Sequence, residues 1–105
     1  MSTVTARRAR FRALHESGCF LLPNPWDVGS ARLLRHVGFE ALATSSAGYA
    51  FTLGRPDAVD SLTVDEVIGH VRSIADATDL PVNVDFQDGY AADLDGLRDN
   101  VRACI

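Results

Sequence analysis

Residues 82–90 read Val82-Asn83-Val84-Asp85-Phe86-Gln87-Asp88-Gly89-Tyr90, and this stretch decides the fold. Apolar and polar residues alternate through its first six positions, and Gly89 ends the run. Such an alternation predicts a β-strand over Val82–Phe86 with one apolar and one polar face. The polar face carries Asn83, Asp85 and Gln87. A polar row on a buried strand needs hydrogen bonds, a cation or water, so it indicates either a satisfied polar layer or a ligand site.

The rest of the chain alternates between strand-like and helical patterns. Two more strands are predicted over Cys19–Leu22 and Phe39–Thr44. Helical spacing of apolar residues predicts four helices, over Thr5–Ser17, over Val28–Val37, from Thr63 to the stop at Asp79-Leu80-Pro81, and over Leu94–Ile105. Residues 45–48 are predicted to be a loop of small residues, and residues 49–62 a connecting loop.

Local signals mark the ends of two of these helices. Asp27 precedes the second helix, and its carboxylate can accept a hydrogen bond from a backbone N–H of the first turn. Thr63 and Glu66 have the spacing of a capping box at the start of the third helix. Gly38 follows the second helix and supplies a left-handed stop.

The order of the elements predicts the fold class. Strands that alternate with helices indicate βαβ units with right-handed crossovers and a parallel sheet. Three such units leave two unpaired edges, and no stop signal follows Ile105. A closed (β/α)8 barrel takes roughly 250 residues. We therefore expect an α/β fold of the (β/α)8 TIM-barrel type. Residues 1–105 would supply an N-terminal helix and the first three β/α units of a single domain.

The composition excludes several classes of function. The 105 residues are 47% apolar and carry a net charge of −4. This acidic balance argues against a nucleic-acid binder, which would present a basic surface. No stretch approaches the roughly 20 apolar residues of a membrane-spanning helix, so no membrane partner is expected. Every basic residue is Arg, so the chain has no lysine for a Schiff base or a P-loop.

The cysteines and the basic N-terminal segment favour a cytoplasmic protein. Cys19 and Cys104 lack the close pairing of zinc ligands and are predicted to be reduced thiols. The arginine-rich first residues suit a transit peptide or a first helix with a basic face, and the continuous apolar pattern favours the helix. The histidines lie in helical patterns and are expected to be surface or packing residues; they are His15, His36 and His70.

Ligands of parallel α/β folds bind beyond the carboxyl ends of the strands. Those ends are predicted at Asn24–Asp27, Thr44–Gly48 and Asp85–Tyr90. The small residues of the second end either point backbone N–H groups at an anion such as a carboxylate or form an ordinary turn. Asp57 suits a helix cap, a turn or an acid at the edge of a metal site.

Three segments then form a recognisable set. They are Pro23-Asn24-Pro25-Trp26-Asp27 with Ser30-Ala31-Arg32 and Gly38-Phe39, Thr44-Ser45-Ser46-Ala47-Gly48 with Leu53-Gly54 and Asp57, and Val84-Asp85-Phe86-Gln87-Asp88-Gly89-Tyr90. In this order and spacing, the chain from about Phe11 onward resembles the N-terminal portion of the isocitrate lyase/phosphoenolpyruvate mutase family. The resemblance implies a (β/α)8 barrel that uses Mg²⁺, or Mn²⁺ in its place. Its members make or break a C–C or C–P bond next to an α-keto acid, through an enolate.

The resemblance also implies roles for particular residues. Asp85 matches the acid most directly linked to the metal, and Asp57 a further acid that holds a metal-bound water. Gln87 stands where the family has a second acid. Ser45, Ser46 and Ala47 match the loop whose backbone N–H groups hold the substrate, a small α-keto or α-hydroxy carboxylate, and Ser46 stands where the family commonly has glycine. The other catalytic residues are expected beyond residue 105, in a homo-oligomer that is a tetramer in the family.

Two alternatives remain open. The chain could be a stand-alone, non-catalytic α/β module that associates with itself through its open sheet edges. It could also be the start of another (β/α)8 keto-acid enzyme, such as an aldolase. On the favoured hypothesis, the 105 residues alone are expected to be inactive, because a barrel site draws its groups from several strands.

Overall fold

The computed structural model of the chain describes residues 3–105, in which helices predominate. The helices are α1 (Val4–Leu14), α2 (Val28–His36), α3 (Ser46–Thr52), α4 (Val64–Ala77) and α5 (Leu94–Cys104), with one 3-10 turn at Val59–Ser61. The strands are β1 (Leu42–Ala43) and β2 (Val82–Asn83). They pair in parallel, with Leu42 beside Val82 and Ala43 beside Asn83, as the predicted βαβ order requires.

Helix α2 begins at Val28, as predicted, and ends at His36, one residue before the predicted Val37. The carboxylate of Asp27 accepts a hydrogen bond from the backbone N–H of Ser30 at 2.7 Å, and the Ser30 hydroxyl accepts one from the backbone N–H of Asp27 at 3.1 Å. This reciprocal cap satisfies two donors that a helix end leaves free. Gly38 has a φ of +105°, which a residue with a Cβ rarely adopts, and it turns the chain towards β1.

The apolar core lies between the strands and helices α2 and α4, in two clusters. The first joins Ala31, Leu42, Ile74 and Leu80. The second joins Ala50, Leu62, Val67 and Val71, with the half-buried side chains of Tyr49, Val84, Phe86 and Tyr90 packed against it. The core therefore holds α4 against the sheet and leaves the carboxyl ends of the strands open.

The predicted alternation over residues 82–87 is confirmed. Val84 and Phe86 are half-buried against the second cluster, whereas Asn83, Asp85 and Gln87 are exposed. The polar side chains therefore share one face of the chain after β2.

Helix α1 is attached to the rest of the chain by arginine side chains. Arg7 donates to the carbonyl of Ala75 at 2.7 Å, and Arg10 donates to the carbonyl of Asp79 at 3.2 Å. These contacts place the basic face of α1 against the C-terminal end of α4, where free carbonyls favour cations. No helix within residues 3–105 has the length and apolar content needed to cross a membrane.

The predicted first strand over Cys19–Leu22 is wrong. These residues pair with neither strand, and the one backbone link near them is the Pro23 carbonyl, which accepts from the N–H of Ala43 at 3.0 Å. Pro23 and Pro25 have no N–H to donate, so a regular ladder cannot form there. The segment still lies along the flank of β1 that faces away from β2.

The other two strands are shorter than predicted. Of Phe39–Thr44 only Leu42–Ala43 is paired, and of Val82–Phe86 only Val82–Asn83. The chain turns into α3 directly after β1, which leaves no backbone beside the residues that follow β2. The prediction of three complete β/α units is therefore corrected to two paired strands and one extended segment.

Residues 45–62 are more ordered than predicted. The predicted loops at 45–48 and 49–62 contain α3 and the 3-10 turn. Ser45 caps α3 by accepting a hydrogen bond from the N–H of Gly48 at 3.0 Å. A helix of 7 residues is too short to show a repeating apolar stripe, so periodicity could not reveal it.

The remaining helix ends differ in detail. Helix α1 stops at Leu14 rather than Ser17, and α5 stops at Cys104. At the start of α4, Thr63 accepts a hydrogen bond from the N–H of Glu66 at 3.2 Å. The Glu66 carboxylate pairs with Arg55 and with the Thr63 hydroxyl, so the predicted capping box is only half formed.

Candidate active site

Asp85 and Ser46 meet at the carboxyl ends of the two strands. The Ser46 hydroxyl donates to Oδ2 of Asp85 at 2.8 Å, and the Ser46 backbone N–H donates to the same oxygen at 3.2 Å. Ser46 is the first residue of α3, which the turn after β1 carries towards the end of β2. The two residues are 39 positions apart in the chain, so their contact depends on the parallel pairing of the strands.

Gln87 completes a three-residue network. Its side-chain amide Nε2 donates to the Ser46 hydroxyl at 2.8 Å, and its backbone N–H donates to Oδ1 of Asp85 at 3.2 Å. Gln87 has a φ of +44°, in the left-handed region that residues with a side chain rarely adopt. Gln87 makes both hydrogen bonds in this backbone conformation, in which the chain turns from β2 towards Gly89.

The Asp85 carboxyl group is held in its ionised form. Its partial burial by itself raises the pKa, but the hydrogen bonds from Ser46 and the backbone of Gln87 outweigh this and lower the pKa below its ordinary value. Hydrogen bonds that end on a carboxylate stabilise its charged state. The site therefore presents a negative charge at neutral pH.

Thr44 belongs to the site and was not predicted as one of its functional residues. It is only 5% exposed, and its hydroxyl accepts a hydrogen bond from the backbone N–H of Asp85 at 2.9 Å. This hydroxyl replaces the carbonyl that a longer β1 would have offered. A threonine at the end of an apolar strand carries no sequence signal that separates this role from ordinary strand chemistry.

Ser45 and Ala47 lie beside the network but outside it. The Ser45 hydroxyl is occupied by the cap of α3, and Ala47 stands in the first turn of that helix. Their backbone N–H groups are at the end of α3 that faces the carboxyl ends of the strands. The two residues are thus near Asp85, and their binding of a substrate carboxylate stays a prediction.

Asp57 lies apart from the network in the structure described here. It sits in the exposed segment between α3 and the 3-10 turn, and within residues 3–105 no hydrogen bond or ion pair links it to Asp85 or Ser46. Over the same residues, no group of three or more His, Cys, Asp or Glu side chains is arranged to hold a metal ion. The role of Asp57 beside a metal stays a prediction.

The donor atoms around Asp85 fit a hard divalent cation. The Asp85 carboxylate and the Ser46 hydroxyl beside it offer oxygen atoms, which Mg²⁺ and Mn²⁺ prefer, and the Gln87 side chain carries a further amide oxygen. Mg²⁺ commonly binds one or two carboxylates and keeps several waters or substrate oxygens. One ionised carboxylate with neutral oxygen neighbours is a small but suitable set for such an ion.

A stacked ring pair stands behind the site. The rings of Tyr49 in α3 and His70 in α4 are parallel within 6°, with centroids 4.0 Å apart. His70 is only 8% exposed, and its Nε2 has no hydrogen-bond partner within the described residues. Burial lowers the pKa of His70, and the charge of Asp27 partly opposes this shift. His70 is therefore a neutral packing residue at pH 7, as predicted for the histidines.

Both cysteines are free thiols, as predicted; Cys19 is exposed and Cys104 is half-buried.

A cavity of about 700 Å³ lies away from the site, between α1 and the end of α5, and its lining includes Phe11, Val71 and Val82. None of the predicted site residues lines this cavity.

The chain is similar in sequence and structure to known enzymes. The profile of the phosphoenolpyruvate phosphomutase family matches residues 11–105. The oxaloacetate decarboxylase of Paraburkholderia xenovorans is 33% identical over 100 residues, which cover 93% of this chain and 33% of that enzyme.

Two crystal structures show the same likeness in three dimensions. A Burkholderia cenocepacia J2315 protein matches with a TM-score of 0.88 and 42% identity, over 94% of this chain and 35% of the other. A 2,3-dimethylmalate lyase of the phosphoenolpyruvate mutase/isocitrate lyase superfamily matches with a TM-score of 0.82 and 26% identity, over 98% of this chain and 36% of the other.

The fold and the site define a mixed α/β chain with a carboxylate at the ends of parallel strands. This chain belongs to the phosphoenolpyruvate phosphomutase family, as the resemblance predicted, and the family's members include lyases and mutases. The chain spans about a third of the length of the relatives it matches.

Proposed function

We propose that this protein is a Mg²⁺-dependent lyase or mutase, with Mn²⁺ as an alternative ion. It would make or break a C–C or C–P bond next to a small α-keto or α-hydroxy carboxylate. The observation that carries the proposal is the position of Asp85, ionised and held by Ser46 at the carboxyl ends of β1 and β2. Ligands of parallel α/β folds bind at this edge. We further propose that the strands belong to a (β/α)8 barrel.

Some of the site residues would bind the cation, and others would bind the substrate. A bound Mg²⁺ would supply a positive charge that stabilises negative charge developing on a substrate oxygen. Asp85 would hold the ion, Gln87 would accept a hydrogen bond from one of its waters, and Asp57 would hold another such water from the side of the loop. The backbone N–H groups of Ser45, Ser46 and Ala47 would orient the substrate carboxylate.

The names of the relatives support the substrate class. One relative is an oxaloacetate decarboxylase and a structural neighbour is a 2,3-dimethylmalate lyase, and both names specify small carboxylates. Oxaloacetate is an α-keto acid and 2,3-dimethylmalate an α-hydroxy acid, so both carry an oxygen beside the carboxylate. A bound cation and the backbone N–H groups of the Ser45–Ala47 turn could together bind the carboxylate and the neighbouring keto or hydroxyl oxygen of such a substrate.

We also propose that the protein is cytoplasmic and acts as a homo-oligomer, a tetramer as in its family. The 105 residues by themselves would not turn over substrate. A barrel site draws its groups from the ends of several strands, and the described residues pair only two.

The test is a substitution of Asp85 in the full-length protein. We expect Asp85→Asn to lower Mg²⁺-dependent release of pyruvate or glyoxylate from candidate substrates by about a hundredfold or more, because the ion loses its charged ligand. Asp88→Asn is the matched control. Asp88 is also exposed, and it accepts a hydrogen bond from the N–H of Tyr90 that asparagine can keep.

Two outcomes would contradict the proposal. If Asp85→Asn and Asp88→Asn left activity and its Mg²⁺ dependence equally unchanged, Asp85 would not be the metal ligand. Turnover by the isolated 105 residues at even about a hundredth of the full-length rate would show that the essential groups lie within this chain, contrary to the barrel argument.

A further inference from the structure

Ser46 and Gln87 depart from the family's pattern, and they touch each other. The family resemblance implies a glycine at the position of Ser46 and an acid at that of Gln87. In this chain the Gln87 Nε2 lies 2.8 Å from the Ser46 hydroxyl, which lies 2.8 Å from Oδ2 of Asp85. The two departures thus form one contact beside the predicted metal ligand.

The donor and the acceptor of each hydrogen bond in this contact are fixed. Ionised Asp85 is an acceptor only, so the single proton of the Ser46 hydroxyl must point to it. The hydroxyl oxygen then needs a donor, and the amide NH₂ of Gln87 is the group that supplies one. A flipped Gln87 amide would place a second acceptor against a hydroxyl that has no proton left.

A carboxylate at position 87 could not donate a hydrogen bond to the Ser46 hydroxyl as the Gln87 amide does. It has no proton to give, so it would compete with Asp85 for the same hydroxyl proton. Two carboxylates that share one site also repel each other. A glutamate there would need a cation to hold the pair together, whereas glutamine holds it without one.

We propose that Gln87, acting through Ser46, is a positioning residue that holds Asp85 in its ligand orientation before any cation binds. Together they limit the site to one negative charge and thereby weaken its affinity for free Mg²⁺. This inference rests on the proposed function, because it takes Asp85 as the metal ligand. The positive φ of Gln87 fits the proposal, since its surroundings must hold this backbone conformation in place.

The first experiment needs no metal. Gln87→Met removes the amide and keeps the length of the side chain, and Ser46→Ala removes the hydroxyl. In cation-free buffer we expect Gln87→Met to lower the melting temperature by roughly 4–8 °C when Ser46 is present. The same substitution in the Ser46→Ala background should change it by less than about 2 °C, because the partner is already gone. Equal losses in both backgrounds would overturn the coupling.

The second experiment measures Mg²⁺ binding by calorimetry. We expect Gln87→Glu to tighten the dissociation constant by about tenfold, with or without Ser46, because a second carboxylate beside Asp85 attracts the cation directly. Ala92→Glu adds the same charge to an exposed residue outside the network and should change the constant by less than about twofold. A dissociation constant that Gln87→Glu changes no more than Ala92→Glu does would overturn the claim that the single charge limits the affinity.

Asp85→Asn separates this inference from the proposed function. Should Asp85→Asn leave Mg²⁺ binding unchanged, the proposed metal site itself would be wrong. Should it abolish binding while Gln87→Glu has no effect, only the present inference would be wrong. Absence of Mg²⁺ binding in every variant would overturn both.

Discussion

At the residue scale, the Asp85 carboxylate is held by several small contributions. Ser46 donates two hydrogen bonds to it, Gln87 donates one, and Thr44 holds its backbone. A hydrogen bond to a charged group contributes roughly 1.5–3 kcal/mol, less than the stability of a typical domain. The loss of one partner should therefore loosen the site without unfolding the chain. Substitutions at Ser46 and Gln87 are for this reason usable as tests.

Gly89 is the residue at which a single methyl group should matter most for stability. Its φ is +87°, and an added Cβ would overlap Cδ1 of Leu97 in α5. We expect Gly89→Ala to lower the free energy of unfolding by roughly 1–3 kcal/mol, through backbone strain and displacement of Leu97. Urea denaturation measures the change.

Gly69 is the matched control for this prediction. It lies within α4, and nothing stands within 4 Å of an added Cβ. Gly69→Ala should raise the free energy of unfolding by up to about 1 kcal/mol, because alanine favours the helix. A Gly89→Ala variant as stable as the wild type would show that Leu97 moves freely and that the turn is not strained.

At the scale of the elements, the Tyr49–His70 pair links the helix that carries Ser46 to the long helix behind it. Tyr49 belongs to α3 and His70 to α4, and their parallel rings fill the space between the two. Helix α3 has only 7 residues, so its position depends on such packing more than on its own hydrogen bonds. The stack therefore contributes to the placement of Ser46 next to Asp85.

Protonation of His70 should make the free energy of unfolding depend on pH. Burial lowers the pKa of His70 in the folded chain, whereas the unfolded chain binds the proton with the ordinary value of about 6.5. The unfolded state then holds more protons, so stability rises with pH and is lost as the pH falls below about 6.5. We expect the urea midpoint to fall over this window in the wild type. His70→Phe, which keeps an aromatic ring against Tyr49, should flatten that part of the profile.

His36 provides the control for the pH experiment. It is exposed at the end of α2, so His36→Gln should leave the slope of the wild type in place. A slope that survived His70→Phe unchanged would assign the pH dependence to other titratable groups and would contradict the role of His70.

At the scale of the whole molecule, much apolar surface faces outward. Leu33 and Val37 at the end of α2, Leu21 in the extended segment, and Leu94 and Ile105 at the two ends of α5 are all more than half exposed. The edge of β2 that faces away from β1 is also left without a paired strand by the described residues, whereas the extended segment lies along the outer flank of β1. Exposed apolar side chains and open edges both promote association between chains.

We therefore expect the isolated 105-residue chain to self-associate. Sedimentation velocity should show species heavier than the 11.3 kDa of one chain, with the fraction rising with concentration. Burial of apolar side chains between copies is the physical reason. A compact monomer of 11.3 kDa with cooperative unfolding would contradict this expectation and the reasoning from open edges.

Local chemistry was enough to predict the long helices and the polar face that carries Asp85. The cap at Asp27 and the left-handed Gly38 act within a few positions of the chain, and the apolar spacing of α4 reports which side faces the core. The alternation after Leu80 likewise put Asp85 and Gln87 on the polar face. Such features survive in the sequence because the interactions that cause them join near neighbours.

Only the tertiary structure decided how long the strands are and what the site residues touch. The strands stop at Ala43 and Asn83 because α3 begins directly after β1 and removes the pairing partner. Ser46 meets Asp85 across 39 positions, and a threonine hydroxyl takes the place of a strand carbonyl. These contacts depend on how distant segments pack, and side-chain pairing at such separation leaves no periodic signal in a single sequence.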